Sequence, residues 1–353
     1  MPADGSSPRN TARPGPGRSA SRYSVSVFIR DRRHGVHRPV GVIESDPRGN
    51  PSGGDPSGDP SGEPSGGDLS AALDRSLPDR DWTGVPQGAR AFRFEAPSGS
   101  LAALAWGEPG HPRVVLAPGA TGSKEDFVLL APLLAEAGFF VESYDLAGQY
   151  ESAGAGPEAG GRFDYPLFTA DLVAVLEAGA RPAHVLGYSF AGIVAEIVLR
   201  ERPELFASLV LLGAPPLAGQ TFRGVRWIGW LSWLLPAHTI ASLMVWGLVT
   251  NRNHAPPGRL RLVRVRFEYT LRRSVDEIMR LMKNAPDLRS DLARSPVPLL
   301  VAVGERDLWP AELHRAFATR IGAELCVYRT GHSPCETTPH QLARDLLALY
   351  ARA

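Results

Sequence analysis

The stretch HVLGYSFAG at residues 184–192 decides the fold. An apolar run of strand character, 184–187, leads into a segment where Ala191, Val194, Ala195 and Val198 recur at helical spacing until Pro203 ends it. Between the two sits Gly187-x-Ser189-x-Ala191. Such a pentapeptide arises by chance in a chain rich in Gly, Ala and Ser, so its weight comes from the strand before it and the helix after it. A sharp strand-to-helix turn holds a serine hydroxyl exposed in a strained conformation, which requires small neighbours at Gly187 and Ala191. The helix N-terminus behind the serine favours negative charge as it develops.

Outward from this turn, short β-branched and apolar runs alternate with helix-length segments from about residue 90. Residues 91–95 and 101–106 read as an opening antiparallel pair, followed by strands at 114–117, 139–144, 184–187, 209–212, 299–303 and 324–328. Ser123-Lys-Glu-Asp126 is a capping box, after which Phe127, Leu130, Ala131 and Leu134 predict a helix that Gly138 stops. Phe168, Leu172, Val175 and Leu176 mark another. Alternation of this kind predicts an α/β fold, a mostly parallel doubly wound sheet covered by helices on both faces.

A serine hydroxyl is a poor nucleophile until a base takes its proton, so a histidine and a partner for it are required. Of the nine histidines, His332 lies in a Gly-flanked loop just past a late strand, where loops at the sheet's carboxyl edge converge. His184, inside a strand, and His111, in an early turn, read as structural. Asp307 follows the strand at 299–303 and is the choice for the acid, with Glu305 its competitor; Asp145 suits a turn. Acyl transfer also needs oxyanion donors, and the backbone N–H groups of Phe190 and of Ala120, in the glycine loop after the third strand, are the candidates. That loop lacks the spacing of a phosphate cradle, and Gly154-x-Gly156-x-x-Ala159 has no helix behind it for a dinucleotide. No cofactor and no metal are expected.

These segments together resemble the α/β-hydrolase superfamily. In chain order LAPGATGSKEDF resembles its oxyanion loop, YDLAGQYES the turn after strand four, GYSFAG the nucleophile turn, GERD the acid loop and GHSPCETTP the histidine loop. Pro118 stands where the family has histidine, and Ala191 where it has glycine. The resemblance implies a helical cap inserted after strand six and a serine hydrolase with Ser189 as nucleophile, Asp307 as acid and His332 as base. It implies cleavage of a carboxylic ester or related acyl compound through an acyl-serine. Thioester hydrolysis, C–C bond hydrolysis and perhydrolysis share the machinery, and a non-catalytic small-molecule binding protein on the same fold is the alternative of another class. A serine at position 189 argues against the dehalogenase and epoxide-hydrolase branches, which place an aspartate there.

The expected domain layout is a disordered low-complexity extension over 1–85, core over 86–216, a helical cap over 217–290 and core again over 291–353. The tract PSGGDPSGDPSGEPSGGD at 51–68 cannot bury enough apolar surface to offset its ordering entropy, and 23–29 holds at most an isolated short strand. Within 217–290, twelve Lys and Arg face four Asp and Glu, a local +8 in a chain of net charge +1. Residues 227–249 carry no charge and four of the seven tryptophans, Trp227, Trp230, Trp233 and Trp246. Their length suits a membrane span, but spanning would part Ser189 from Asp307 and His332, so they are read as cap helices roofing an apolar substrate pocket, with contact to lipid as the alternative. The basic run at 259–266 reads as a solvated face or as a surface drawing an anionic lipid, an acidic substrate or a carrier protein.

A net charge of +1 gives no case for nucleic acid as a partner. Two cysteines, 43% apolar and 21% charged residues, and no export signal suit a globular cytoplasmic protein whose partner is a small acyl molecule with an apolar portion.

Overall fold

The computed structural model describes residues 66–226, 236, 238–240, 242–243, 246 and 255–353. Each expected run is a strand: β1 (Arg90–Ala96), β2 (Gly99–Trp106), β3 (Arg113–Ala117), β4 (Phe140–Tyr144), β5 (Ala183–Tyr188), β6 (Phe206–Leu212), β7 (Leu299–Gly304) and β8 (Glu324–Tyr328). They form one sheet in the order β1-β2-β4-β3-β5-β6-β7-β8. β1 with β2 and β2 with β4 are antiparallel, and every later pairing is parallel. All residues of β3, β5 and β7 are buried, as the unbroken apolar runs require of strands covered on both faces.

Among the described residues the longer helices are α1 (Gly66–Arg75), α2 (Leu130–Glu136), α3 (Tyr165–Glu177), α4 (Phe190–Glu201), α5 (Pro257–Tyr269), α6 (Arg272–Lys283), α7 (Ala311–Ile321) and α8 (Pro339–Tyr350). Leu172, Val194 and Phe317 bring α3, α4 and α7 onto the face carrying Val185, Leu211 and Val301. Leu130 and Leu346 bring α2 and α8 onto the face carrying Leu116, Leu186 and Leu300. The sheet is therefore doubly wound. The single helix expected from the capping box is split: residues Lys124–Phe127 make a 3-10 turn before α2 starts. Buried Lys124 explains the break, because its Nζ turns to Glu125, Asp145 and Glu151, at 2.7, 3.4 and 2.9 Å.

The expectation of disorder is corrected for residues 66–85; residues 1–65, with the strand read at 23–29, lie outside the described residues. Asp74, on α1, accepts the backbone N–H groups of His340 and Gln341 at 2.8 and 3.2 Å and so caps α8. Trp82 is 6% exposed, its ring under the Arg259 guanidinium at 5.3 Å. The cap and the aromatic anchor are among the contacts that tie this segment to the fold.

Within the insertion after β6, α5 and α6 dock on the loop that follows β4. Leu271 N–H donates to Gly148 O at 2.9 Å, Tyr150 N–H to Thr270 Oγ1 at 2.9 Å and Gln149 Nε2 to Ser274 Oγ at 2.6 Å. Val275, Ile278 and Met279 of α6 share the core of the α4 face. No helix among the described residues is long and apolar enough to cross a membrane. The reading of 259–266 as a solvated or lipid-seeking face fails for two of its arginines: Arg259 and Arg266 are 7% and 3% exposed and ion-paired, while Arg261 and Arg264 face solvent.

Candidate active site

β5 ends at Tyr188, and Ser189 makes the turn into α4 with φ 52 and ψ −113. A non-glycine residue in this region carries strain that its surroundings must impose. Close packing imposes it. A Cβ on Gly187 would stand 2.7 Å from Ala191 O and Gly192 Cα, and one on Gly192 would stand 2.6 Å from Ala214 Cβ. Ser189 N–H donates to Leu212 O at 2.8 Å, which ties the turn to the end of β6.

The next residue, Gly213, has φ 53; a Cβ there would lie 3.1 Å from His332 Cε1 and Nδ1 and 3.2 Å from Asp307 Oδ2. The end of β6 is thus the floor on which the serine turn and the His332–Asp307 pair meet. Asp307 and His332 come from the loops after β7 and β8, which are laced by backbone bonds from Glu305 N to Tyr328 O and Arg306 N to Thr330 O, at 2.8 and 3.0 Å. A side chain on Gly304 would overlap the Gly331 carbonyl, so a glycine is required where the loops cross.

Asp307 Oδ1 lies 3.0 Å from His332 Nδ1. With Nδ1 engaged, Nε2 is the nitrogen available to a second partner. Burial of Asp307 raises its pKa, but the charge and hydrogen bond of His332 outweigh that and hold the carboxyl below its usual 3.8. Glu305 is exposed and faces Arg329 at 4.0 Å, so it plays no part in orienting the histidine. Asp145 is buried against Lys124, accepting its N–H at 2.8 Å. His184 meets Ser208 Oγ at 2.9 Å and stacks on Tyr350; burial pulls its pKa down to about 4. His111 is exposed in its turn.

Both oxyanion candidates lie in segments next to the serine. A Cβ on Gly119 would stand 3.1 Å from Ser189 Cβ, so the loop carrying Ala120 presses against the Ser189 turn. Phe190 opens α4, where its N–H has no acceptor within the helix, and its ring packs against Phe168 at 5.1 Å. Of the tryptophans assigned to a pocket, Trp227, Trp230 and Trp233 lie outside the described residues, and Trp246 is 55% exposed.

Several residues at the site escaped the sequence. Tyr188 OH bonds Ser333 Oγ at 2.8 Å and sets its ring 5.3 Å from that of His332. Trp309 closes the other side at 6.2 Å, anchored by its Nε1–H on Thr221 O at 2.7 Å. Gly213 had a signal: a glycine directly after an apolar strand, as at the other loops that meet here. Among the described residues no group of three or more His, Cys, Asp or Glu is arranged to hold a metal ion.

No curated protein matches the chain. Among solved structures, a hydrolase from Pseudomonas aeruginosa superposes with a TM-score of 0.61 at 23% identity, over 74% of this chain and 98% of that one. A carboxylesterase from Bacillus subtilis gives 0.61 at 16% identity over 81% and 96%. An epoxide hydrolase from Vigna radiata gives 0.61 at 16% over 76% and 100%. At such identities the likeness is one of fold. The model of the alpha/beta hydrolase family matches residues 114–345, about two thirds of the sequence and every loop described above, and the chain belongs to that family.

Proposed function

We propose that the protein is a serine hydrolase that cleaves a carboxylic ester or a related acyl compound through an acyl-Ser189 intermediate. The observation that carries this is the 3.0 Å contact between His332 Nδ1 and Asp307 Oδ1 on the same strand-end floor as the strained Ser189 turn. In this scheme His332 Nε2 takes the proton as Ser189 Oγ attacks the carbonyl carbon. The N–H groups of Phe190 and Ala120 hold the resulting oxyanion, each contributing about 10²- to 10³-fold in rate. The bond to the leaving oxygen then breaks as His332 returns its proton to it. Water, deprotonated by the same nitrogen, attacks the acyl carbon and frees Ser189. Asp307 keeps His332 in the required tautomer and stabilises the imidazolium.

The test is covalent labelling with a fluorophosphonate and turnover of an activated ester. Labelling of the unaltered chain and its loss in Ser189→Ala are expected, with turnover lowered on the order of 10⁵-fold. Labelling that persists in Ser189→Ala would overturn the assignment.

A further inference from the structure

Two of the loops this scheme relies on carry carboxylates with little exposure, Asp126 buried and Glu336 half-buried. Asp126 closes the oxyanion loop by accepting Ser123 N–H at 3.2 Å, and it packs so near Gly122 that a Cβ there would touch its Oδ2 at 2.6 Å. Glu336 lies four residues after His332, in the helical turn Pro334–Thr337 whose preceding Ser333 bonds Tyr188. The arginines that meet these carboxylates belong to neither loop. Arg259, on α5, donates from Nη2 to Asp126 Oδ1 and from Nε to Glu336 Oε2, both at 2.8 Å. Arg266 donates from Nη1 to the same Asp126 oxygen at 2.8 Å and to Ser123 Oγ at 3.3 Å.

Residues 259 and 266 stand two turns apart on one face of α5, and the two positive charges balance the two negative ones. Trp82 covers Arg259, and Asp79 Oδ2 accepts Gly258 N–H at 3.0 Å where α5 begins, so one side of the cluster is screened by the segment before the sheet. A guanidinium suits the task because its rigid fork engages two carboxylates in fixed directions, which an ammonium does not.

We propose that Arg259 and Arg266 are positioning residues, through which the insertion fixes the oxyanion loop relative to the histidine loop by way of Asp126 and Glu336. The idea rests on the hydrolase reading above. Acylation needs the donors of one loop and the base of the other in register at once, and a shift of about 1 Å costs on the order of 10²-fold in rate. The insertion then does more than shape a pocket: it completes the geometry of the reacting centre from a distance.

The experiment is pre-steady-state acylation by p-nitrophenyl butyrate, with fluorophosphonate labelling in parallel, on the full chain and on Arg259→Lys, Glu336→Gln, their double variant and Arg261→Ala. Arg259→Lys and Glu336→Gln are expected to slow acylation about 10- to 100-fold with KM within about threefold. The double variant is expected to be no slower than the slower single one, because both break the same link. Arg261→Ala, on the exposed side of α5, should match the unaltered chain. Glu336→Gln keeps both arginines and the local shape, and carries the test if Arg259→Lys fails to fold. Folded variants that acylate at the unaltered rate overturn the proposal, as do losses that track thermal stability alone. If the unaltered chain itself neither labels nor acylates, the hydrolase reading falls and this inference with it.

Discussion

The two halves of the site are held by different physics. On the Ser189 side every residue from Phe190 to Leu199 is buried, and Ser189 is kept at φ 52 by Gly187, Gly192 and Ala214 packed to the limit of contact. Glu196, the carboxyl within Phe190–Leu199, lines a small cavity with Ile193, Pro215 and Phe317; burial, aided by the charge of Asp287, pushes its pKa up to about 8. On the histidine side the scaffold is charged: Asp307 is held below its usual pKa by His332, and Glu336 and Asp126 are clasped by Arg259 and Arg266. The strained Ser189 turn is held by steric walls, whereas the His332–Asp307 pair and the carboxylates near it are held by opposite charges and hydrogen bonds. The Ser189 half should therefore respond to volume and to alkali, and the histidine half to charge and to acid.

The largest effect that sharpens this contrast is Asp307→Asn. The substitution keeps the volume and leaves His332 in the wrong tautomer, and kcat on an activated ester should fall about 10⁴-fold, or about 5 kcal/mol. A fall of less than tenfold would break the division. The acid limb has a defined sign as well: a carboxyl whose folded pKa lies below 3.8 stabilises the fold above that pH, and the stabilisation fades as pH drops through the lower, folded value.

Glu196→Gln comes next. A folded pKa of about 8 against an ordinary 4.5 means that the folded state keeps its proton while the unfolded chain has lost it. Stability is then full below 4.5 and falls as pH rises towards 8, by on the order of a few kcal/mol. The amide cannot ionise, so melting temperatures measured from pH 5 to 9 should flatten in Glu196→Gln; parallel curves for the two proteins would remove Glu196 from the account.

Gly192→Ala is the smallest. One added methyl against Ala214 is overpacking worth about 1–3 kcal/mol, read as a lower urea midpoint. An unchanged midpoint would mean that the turn is looser than its contacts say.

How much of this could be read from the chain follows the same division. Strands announce themselves as apolar or β-branched runs, so all eight were legible, and the strand-end placement of Ser189, Asp307 and His332 was legible because each follows such a run at a glycine. What steric walls do is written locally. What the charges do is not: Arg259 finds Asp126 133 positions away, and in sequence it is one of four arginines in eight residues, a pattern that resembles a solvated helix face. Trp82 had no periodic neighbours to lend it meaning, and it took the fold to bring Arg259 over its ring. Lys124 broke an expected helix for the same reason, since its three carboxylate partners come partly from the loop after β4.

The cap that Asp74 places on α8 joins positions 266 residues apart. The two ends of this contact are made at opposite ends of synthesis, so it cannot form until the last helix has been made. During synthesis α1 leaves the ribosome before any strand of the sheet, yet its partner helix is made after all of them. For the whole of translation Asp74 has nothing to cap, and the segment up to Trp82 has to stay soluble without its partners. The acidic, glycine-rich tract just ahead of it, poor in apolar residues, is suited to that wait.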